Sequence, residues 1–171
     1  MNKSIRDMLG EALPSTAFEG NALLPSFEMV TWLPLIPVND DGNRMGITTE
    51  GIWVVEAGNG LLQLREPESF VSTLPLLEKP RSFISQQIHQ ILDSETLGSL
   101  IEQTFPIVDV IRMGLEMESD YWANLALDWF DELSIIDKQQ LVDILKVLSK
   151  AKWTSQKTRQ KAIRKIGKLD D

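Results

Sequence analysis

The stretch Gly46–Arg65, GITTEGIWVVEAGNGLLQLR, decides the fold of the first half of the chain. Gly46–Glu56 and Leu61–Arg65 are rich in β-branched and aliphatic residues and predict two strands. The linker Ala57–Gly60 between them supplies residues that tolerate positive φ, which tight hairpin turns require. The sequence therefore predicts a β-hairpin here.

The surrounding first half also has the composition of strands and turns. Seven of the 8 prolines and 7 of the 10 glycines lie within the first 80 residues. Glu28–Ile36 predicts another strand, and Pro34 inside it favours an edge position or an early end. The remaining predictions are a short helix over residues 5–13, loop up to Pro25, a turn at Asn39–Asn43, and either a short helix or a third strand at Pro67–Leu74.

The second half has the periodicity of helices with short connections. Six helical segments are predicted, over residues 82–92, 94–103, 104–118, 120–133, 137–151 and 155–168. The fold class is therefore α+β, with a small antiparallel sheet in the N-terminal half packed with a C-terminal bundle of about six helices. A strand- and turn-rich region 1–80 and a helical region 81–171 are expected to make one compact unit.

Composition excludes several classes of protein. The 171 residues include 43% hydrophobic residues and no cysteine, so a packed core is expected, and disulfides and cysteine chemistry are excluded. The start of the sequence has no apolar stretch of signal-peptide length, and the most apolar stretch, residues 29–38, is too short to span a bilayer. These features predict a cytoplasmic protein without a transmembrane segment.

Charge is distributed unevenly along the chain. Residues 1–149 carry 9 Lys+Arg against 23 Asp+Glu, whereas residues 150–171 carry 8 against 2. The acidic body argues against phosphate contacts in that part of the chain. The basic end is a separate candidate for binding.

No catalytic or cofactor motif appears. His89 is the only histidine, so a triad or a metal site based on several histidines is not supported. Gly58-Asn59-Gly60 lacks the third glycine of a dinucleotide fingerprint, and Asp40-Asp41-Gly42 lacks ligands at the ends of a calcium loop. We therefore expect no cofactor and favour a non-enzymatic protein.

The helix beginning at Asp120 carries a polar stripe. Its members recur at helical spacing and are Asp120, Asn124, Asp128, Asp131 and Glu132. The stripe is interpreted as a solvated face, as a surface for a basic partner, or as a site for a hard cation. The same helix is rich in aromatic residues, which places it either at the centre of the bundle or against a partner.

The last helix is basic and amphipathic. Its cationic face comprises Lys157, Lys161, Arg164, Lys165 and Lys168, and its apolar face Ala162, Ile163, Ile166 and Leu169. Three interpretations stay open: docking on the bundle, binding of nucleic acid, and binding of an acidic protein or an anionic membrane.

Three functional hypotheses follow. The leading one is a protein–protein interaction module, such as an adaptor, an assembly factor, or an inhibitor of the immunity type with a basic partner. The second is a nucleic-acid accessory protein that acts through the basic C-terminal helix. The third is a metal-dependent enzyme that uses the carboxylates of Asp120, Asp128 and Glu132.

Overall fold

The fold is α+β and divides into two compact units. The computed structural model describes residues 4–170, and side chains up to residue 169. One unit takes the chain up to Leu76 together with Ser82–Pro106, and the other takes Leu77–Arg81 together with the chain from Ile107 onward. The composition shift near residue 80 falls inside Leu77–Arg81. The prediction that regions 1–80 and 81–171 form one compact unit stays a prediction.

The first unit, here called the barrel unit, contains a five-stranded sheet. Its strands are β1 (Glu19–Leu24), β2 (Glu28–Pro37), β3 (Arg44–Thr48), β4 (Trp53–Ala57) and β5 (Gly60–Gln63). Sequential neighbours pair antiparallel, and β5 pairs parallel with β1. This last pairing closes the sheet into a barrel, so the predicted antiparallel sheet is only partly matched.

The predicted hairpin is present at β4–β5, where Ala57 pairs with Gly60 across a two-residue loop. Gly58 in that loop has φ 58°, which a residue without Cβ adopts at no steric cost. The prediction of one strand over Gly46–Glu56 is wrong. A turn at Thr48–Gly51 divides it into β3 and β4, with the Gly51 N–H donating to the Thr48 carbonyl at 2.9 Å.

Two further expectations about the barrel are corrected. The stretch before Pro25, predicted as loop, contains β1. The prediction failed because Glu19, Gly20 and Asn21 have low strand propensity. Pro34 does not mark an edge, because both neighbours of β2 are occupied. It lies at a register shift in the β2–β3 pairing, where a strand tolerates a residue without an N–H.

The barrel interior is apolar, and a network of ion pairs connects three of its strands. Trp32, Val54 and Leu61 are buried together. The Arg44 guanidinium on β3 binds both oxygens of Glu19 on β1 at 2.7 and 2.8 Å, and Glu56 on β4 at 2.7 Å. Hydrogen bonds from Arg44 hold the pKa of Glu19 below its ordinary value, because they stabilise the carboxylate form.

The barrel unit also contains three helices and a 3₁₀ segment. The helices are α1 (Ile5–Ala12), α2 (Ser82–Ile91) and α3 (Glu95–Gln103). Pro67–Leu74, for which helix and strand were both open, lies in a 3₁₀-helical segment, Pro67–Glu78, which continues into the second unit at Leu77. Trp53 packs edge-on against Phe105 and donates its Nε1–H to the Thr104 hydroxyl at 3.0 Å.

The second unit, here called the helical unit, contains the remaining helices. They are α4 (Ile107–Glu116), α5 (Asp120–Asp131), α6 (Ile135–Gln139), α7 (Val142–Leu148) and α8 (Gln156–Asp170). The predicted segment 137–151 is corrected to α6 and α7. The Ser134 hydroxyl accepts from the Asp137 N–H at 3.2 Å and caps α6, which begins at Ile135, two residues before the predicted segment. A turn at Gln140–Leu141 then ends α6.

Helix α5 is central to the helical unit. Trp129 and Phe130 are buried, and the Trp129 Nε1–H donates to the Lys79 carbonyl at 2.9 Å. Tyr121 is exposed and donates its hydroxyl to Glu78 at 2.6 Å. Of the aromatic residues of α5, Trp129 and Phe130 therefore belong to the core, Trp122 is half-buried and Tyr121 faces solvent. None of the helices within residues 4–170 combines the length and hydrophobicity that a bilayer crossing requires.

Candidate functional site

The first residue of the polar stripe, Asp120, is held by the segment that precedes α8. Its carboxylate accepts hydrogen bonds from the Thr154 hydroxyl and, at 2.8 Å, from the Ser155 N–H. Both donors stabilise the ionised form, and together they lower the pKa of Asp120 from 3.8 to about 2. Ser155 also accepts from the Thr158 N–H at 3.2 Å, as an N-cap does.

The middle of the stripe pairs with the basic face of α8. The Lys161 ammonium donates to Asp128 Oδ1 at 2.6 Å and to Asn124 Oδ1 at 3.0 Å. A third contact, at 3.3 Å, goes to the Asn124 carbonyl. These three acceptors match the three N–H donors of a lysine.

The Lys165 ammonium forms the next pair along α8. It donates to Asp131 Oδ1 at 2.6 Å and lies 5.9 Å from the centre of the Phe130 ring. Only 7% of Lys165 is exposed, whereas the partner carboxylate is mostly in solvent. Asn124, Asp128 and Asp131 of the predicted stripe are thus paired with Lys161 and Lys165 of the predicted basic face within the helical unit.

Glu132 stands apart from this interface. Its carboxylate forms no ion pair among residues 4–169, and its backbone carbonyl accepts from Arg81 at 2.6 Å. Ile163 also differs from expectation, since it is exposed and does not share the packed face of α8 with buried Ala162.

Three cations of α8 line a cleft without carboxylate partners among the described residues. They are Lys157, Arg164 and Lys168. The cleft, here called the α5–α8 cleft, has a volume of about 500 Å³ and is lined by Asn124, Asp128, Asp131, Lys157, Lys161, Arg164, Lys165 and Lys168. Five cations against two carboxylates leave this cleft electropositive.

Net charge differs between the two units. The sequence of the helical unit carries 13 Lys+Arg and 12 Asp+Glu, and that of the barrel unit carries 4 and 13. The acidity of the chain thus belongs to the barrel unit. The helical unit is nearly neutral because its acidic stripe and its basic helix balance.

A second concave surface on the helical unit was missed by sequence reasoning. It has a volume of about 280 Å³ and is here called the α7 groove, lined by Leu115, Glu116, Glu118, Asp143, Ile144, Val147, Leu148 and Trp153. Val147 is 71% exposed, although aliphatic. The available signal was Val147 itself, which lies off the apolar stripe of its helix.

His89 and the carboxylates of the described residues are the remaining candidates for a reactive site. In the described part of the chain, no three His, Cys, Asp or Glu side chains are grouped to hold a metal ion. His89 Nε2 lies 3.4 Å from Glu102 Oε2, which also accepts from the Ser85 hydroxyl at 3.0 Å. The Ser85 hydroxyl thus donates to a carboxylate, which is not the serine-to-histidine hydrogen bond of a catalytic triad.

Comparison with known proteins gives no relative: no family model, curated protein or solved structure matches the chain.

Proposed function

We propose that the protein is a non-enzymatic protein–protein interaction module, an adaptor, assembly factor or immunity-type inhibitor, that binds a basic amphipathic segment of its partner in the α7 groove. The observation that supports this proposal is an apolar floor, open to solvent, surrounded by three carboxylates. Floor and rim together fit a segment with both aliphatic and cationic side chains.

The floor of the groove supplies the apolar contact. Leu115 and Leu148 are buried at its base, and Ile144 and Trp153 are half-buried at its sides. Covering exposed apolar surface is favourable by about 25 cal/mol per Å². Tryptophan is among the residues that contribute most to protein interfaces.

The rim of the groove selects the charge of the occupant. Glu116 and Glu118 form no ion pair among the described residues, and both are exposed. Asp143 lies 3.5 Å from Lys146 in a pair so exposed that it contributes little. A basic segment gains from these carboxylates, whereas an acidic segment is repelled.

The size of the groove favours a protein segment over a small molecule. Sites for small molecules enclose about 300–1,000 Å³, and this groove lies at the lower limit. A helix that inserts a few aliphatic side chains from one face requires no more space.

The test uses a defined probe. A tryptophan-free Leu–Lys amphipathic peptide of about five helical turns is titrated into the protein, with binding followed by calorimetry and by tryptophan fluorescence. The control probe is the Leu–Glu peptide of the same pattern. We expect the Leu–Lys peptide to bind and the Leu–Glu peptide not to bind.

Variants then locate the binding surface. Val147→Asp places a charge among the apolar residues that line the groove and should weaken binding about tenfold or more. Ile136→Asp is the matched control, since Ile136 is 74% exposed on α6 of the same unit and does not line the groove. Equal binding of both peptides, or an unchanged affinity of the Val147→Asp variant, would contradict the proposal.

The same variants identify the natural partner. Tagged wild-type protein, Val147→Asp and Ile136→Asp are purified from native cells after nuclease treatment and compared by mass spectrometry. The partner is the protein retained by wild type and Ile136→Asp and lost from Val147→Asp.

A further inference from the structure

The α5–α8 cleft contains a buried ammonium with spare donors. Lys165 is 7% exposed, and its ammonium donates a hydrogen bond to Asp131. A lysine has three N–H donors, and a buried charge is stable only when its donors find acceptors. Lys165 therefore favours a further acceptor within the cleft.

The rim of the cleft carries the cations that such an acceptor would meet. Lys157, Arg164 and Lys168 are exposed and without carboxylate partners among the described residues. Arg164 donates a hydrogen bond from Nε to the Gln160 carbonyl at 3.4 Å. The two outer nitrogens of its guanidinium therefore stay available. These three positions follow one face of α8 over about 16 Å, at 1.5 Å per residue.

We propose that the α5–α8 cleft is a binding site for a ligand with several phosphate groups. Lys161 and Lys165 are compensated by Asp128 and Asp131, so the cleft retains an excess of three positive charges. Cations spread along the helix suit successive phosphates rather than one. The volume of about 500 Å³ accommodates a ligand of nucleotide size or a short stretch of nucleic acid backbone.

The packing of α8 argues against membrane insertion as the use of these cations. An amphipathic helix that enters a membrane requires a free apolar face. The face of α8 that includes Ala162 and Lys165 is buried within the helical unit. The exposed side of α8 carries Ile163 beside the cations Lys157, Arg164 and Lys168, so it is mainly cationic and suits phosphates in solution.

Two soluble phosphate probes and one lipid vesicle distinguish the possible sources of the phosphate groups. Inorganic tripolyphosphate is titrated by calorimetry, a fluorescent single-stranded oligothymidylate by anisotropy, and phosphatidylserine vesicles by co-sedimentation, all at low salt. Binding of tripolyphosphate and oligonucleotide indicates a site for phosphate groups in general. Binding of the oligonucleotide alone indicates that the nucleic acid backbone is the ligand, with log K falling against log salt with a slope of about −2 for three contacts.

The decisive variant is Lys157→Gln/Arg164→Gln/Lys168→Gln, whose side chains are all exposed. We expect its affinity to fall about tenfold or more and the salt slope to approach zero. The control Lys79→Gln/Lys150→Gln/Lys152→Gln removes the same charge from exposed positions of the same unit outside the cleft, and should stay within about twofold. Binding of neither phosphate probe, binding to vesicles only, or equal losses in both triple variants would overturn the proposal.

Discussion

Asp120 shows how one side chain connects two distant parts of the helical unit. It is the first residue of α5, yet its hydrogen-bond donors, Thr154 and Ser155, lie just before α8. A carboxylate at a helix N-terminus is also favoured by the helix dipole. The pKa of Asp120 is low because these hydrogen bonds stabilise its carboxylate form.

Asp120→Asn should destabilise the protein at pH 7 by about 1 kcal/mol, since the amide keeps an acceptor oxygen but loses the charge. The folded-state pKa of about 2 lies below the unfolded value, so this contribution is complete above about pH 4. It is lost as the pH falls from about 4 to 2. Urea unfolding of wild type and variant should therefore converge over that interval.

Asp143→Asn is the matched control for this experiment, because the Asp143 side chain is 96% exposed. Its unfolding free energy should stay close to that of wild type throughout. A difference between Asp120→Asn and wild type that did not change between pH 7 and pH 2 would disprove the assigned role of the charge.

At the scale of the element, the β2–β3 pairing depends on the absence of a side chain at Gly46. A Cβ added there would overlap the Leu33 carbonyl oxygen and lie 2.9 Å from Pro34 Cα. Every one of these atoms belongs to the backbone of β2, which cannot move aside as a flexible side chain does. The bulged strand and the glycine opposite it therefore form one feature.

Gly46→Ala should lower the free energy of unfolding by about 2–3 kcal/mol, because the added methyl group forces the two strands apart. Gly10→Ala, on α1 of the same unit, is the control. Nothing lies within 4 Å of its added Cβ, and alanine favours the helix. Thermal unfolding should show a large loss of stability for Gly46→Ala and none for Gly10→Ala. Equal stabilities of the two variants would contradict the close contact between Gly46 and β2.

Local features of the sequence predicted several elements. Gly58 marks the β4–β5 hairpin, and the helices predicted over residues 94–103 and 120–133 are present as α3 and α5. Such signals depend on residues a few positions apart. The strand β1 was missed because Glu19, Gly20 and Asn21 have low strand propensity, and its pairing with β2 and β5 overrides that preference.

The candidate surfaces depended on contacts that no local pattern records. Lys161 and Asp128 are 33 positions apart in sequence, so the neutralisation of the stripe by α8 follows from tertiary packing alone. The α7 groove combines the end of α4 with α7 and Trp153. Periodicity assigned faces to each helix, but it could not assign the partner of each face.

At the scale of the whole molecule, the two units should respond to salt in opposite directions. The barrel unit carries 13 Asp+Glu against 4 Lys+Arg, and added salt screens this self-repulsion. The helical unit has near-zero net charge and depends on the pairs of Lys161 and Lys165, which salt weakens.

Amide hydrogen exchange between about 20 and 300 mM NaCl checks this prediction, because screening strengthens steeply over that range. Protection should increase in β2–β4 and decrease in α5 and α8. The control is the same series in sucrose at matched osmolality, which adds no ions and should protect both units alike. A change of the same sign in both units under NaCl would contradict it.

The chain passes from one unit to the other three times, after Leu76, after Arg81 and after Pro106. The short excursion Leu77–Arg81 supplies Glu78 to Tyr121, the Lys79 carbonyl to Trp129, and Arg81 to the Glu132 carbonyl. Cleavage at one position therefore cannot separate the two units. Cleavage at residue 80 divides the segment Leu77–Arg81. Cleavage after residue 106 leaves this segment on the fragment that contains the barrel unit. Transfer of the helical unit into another protein would therefore require residues 77–81 as well. They could be added as a separate peptide or joined to the unit by rearranging the order of the coding segments.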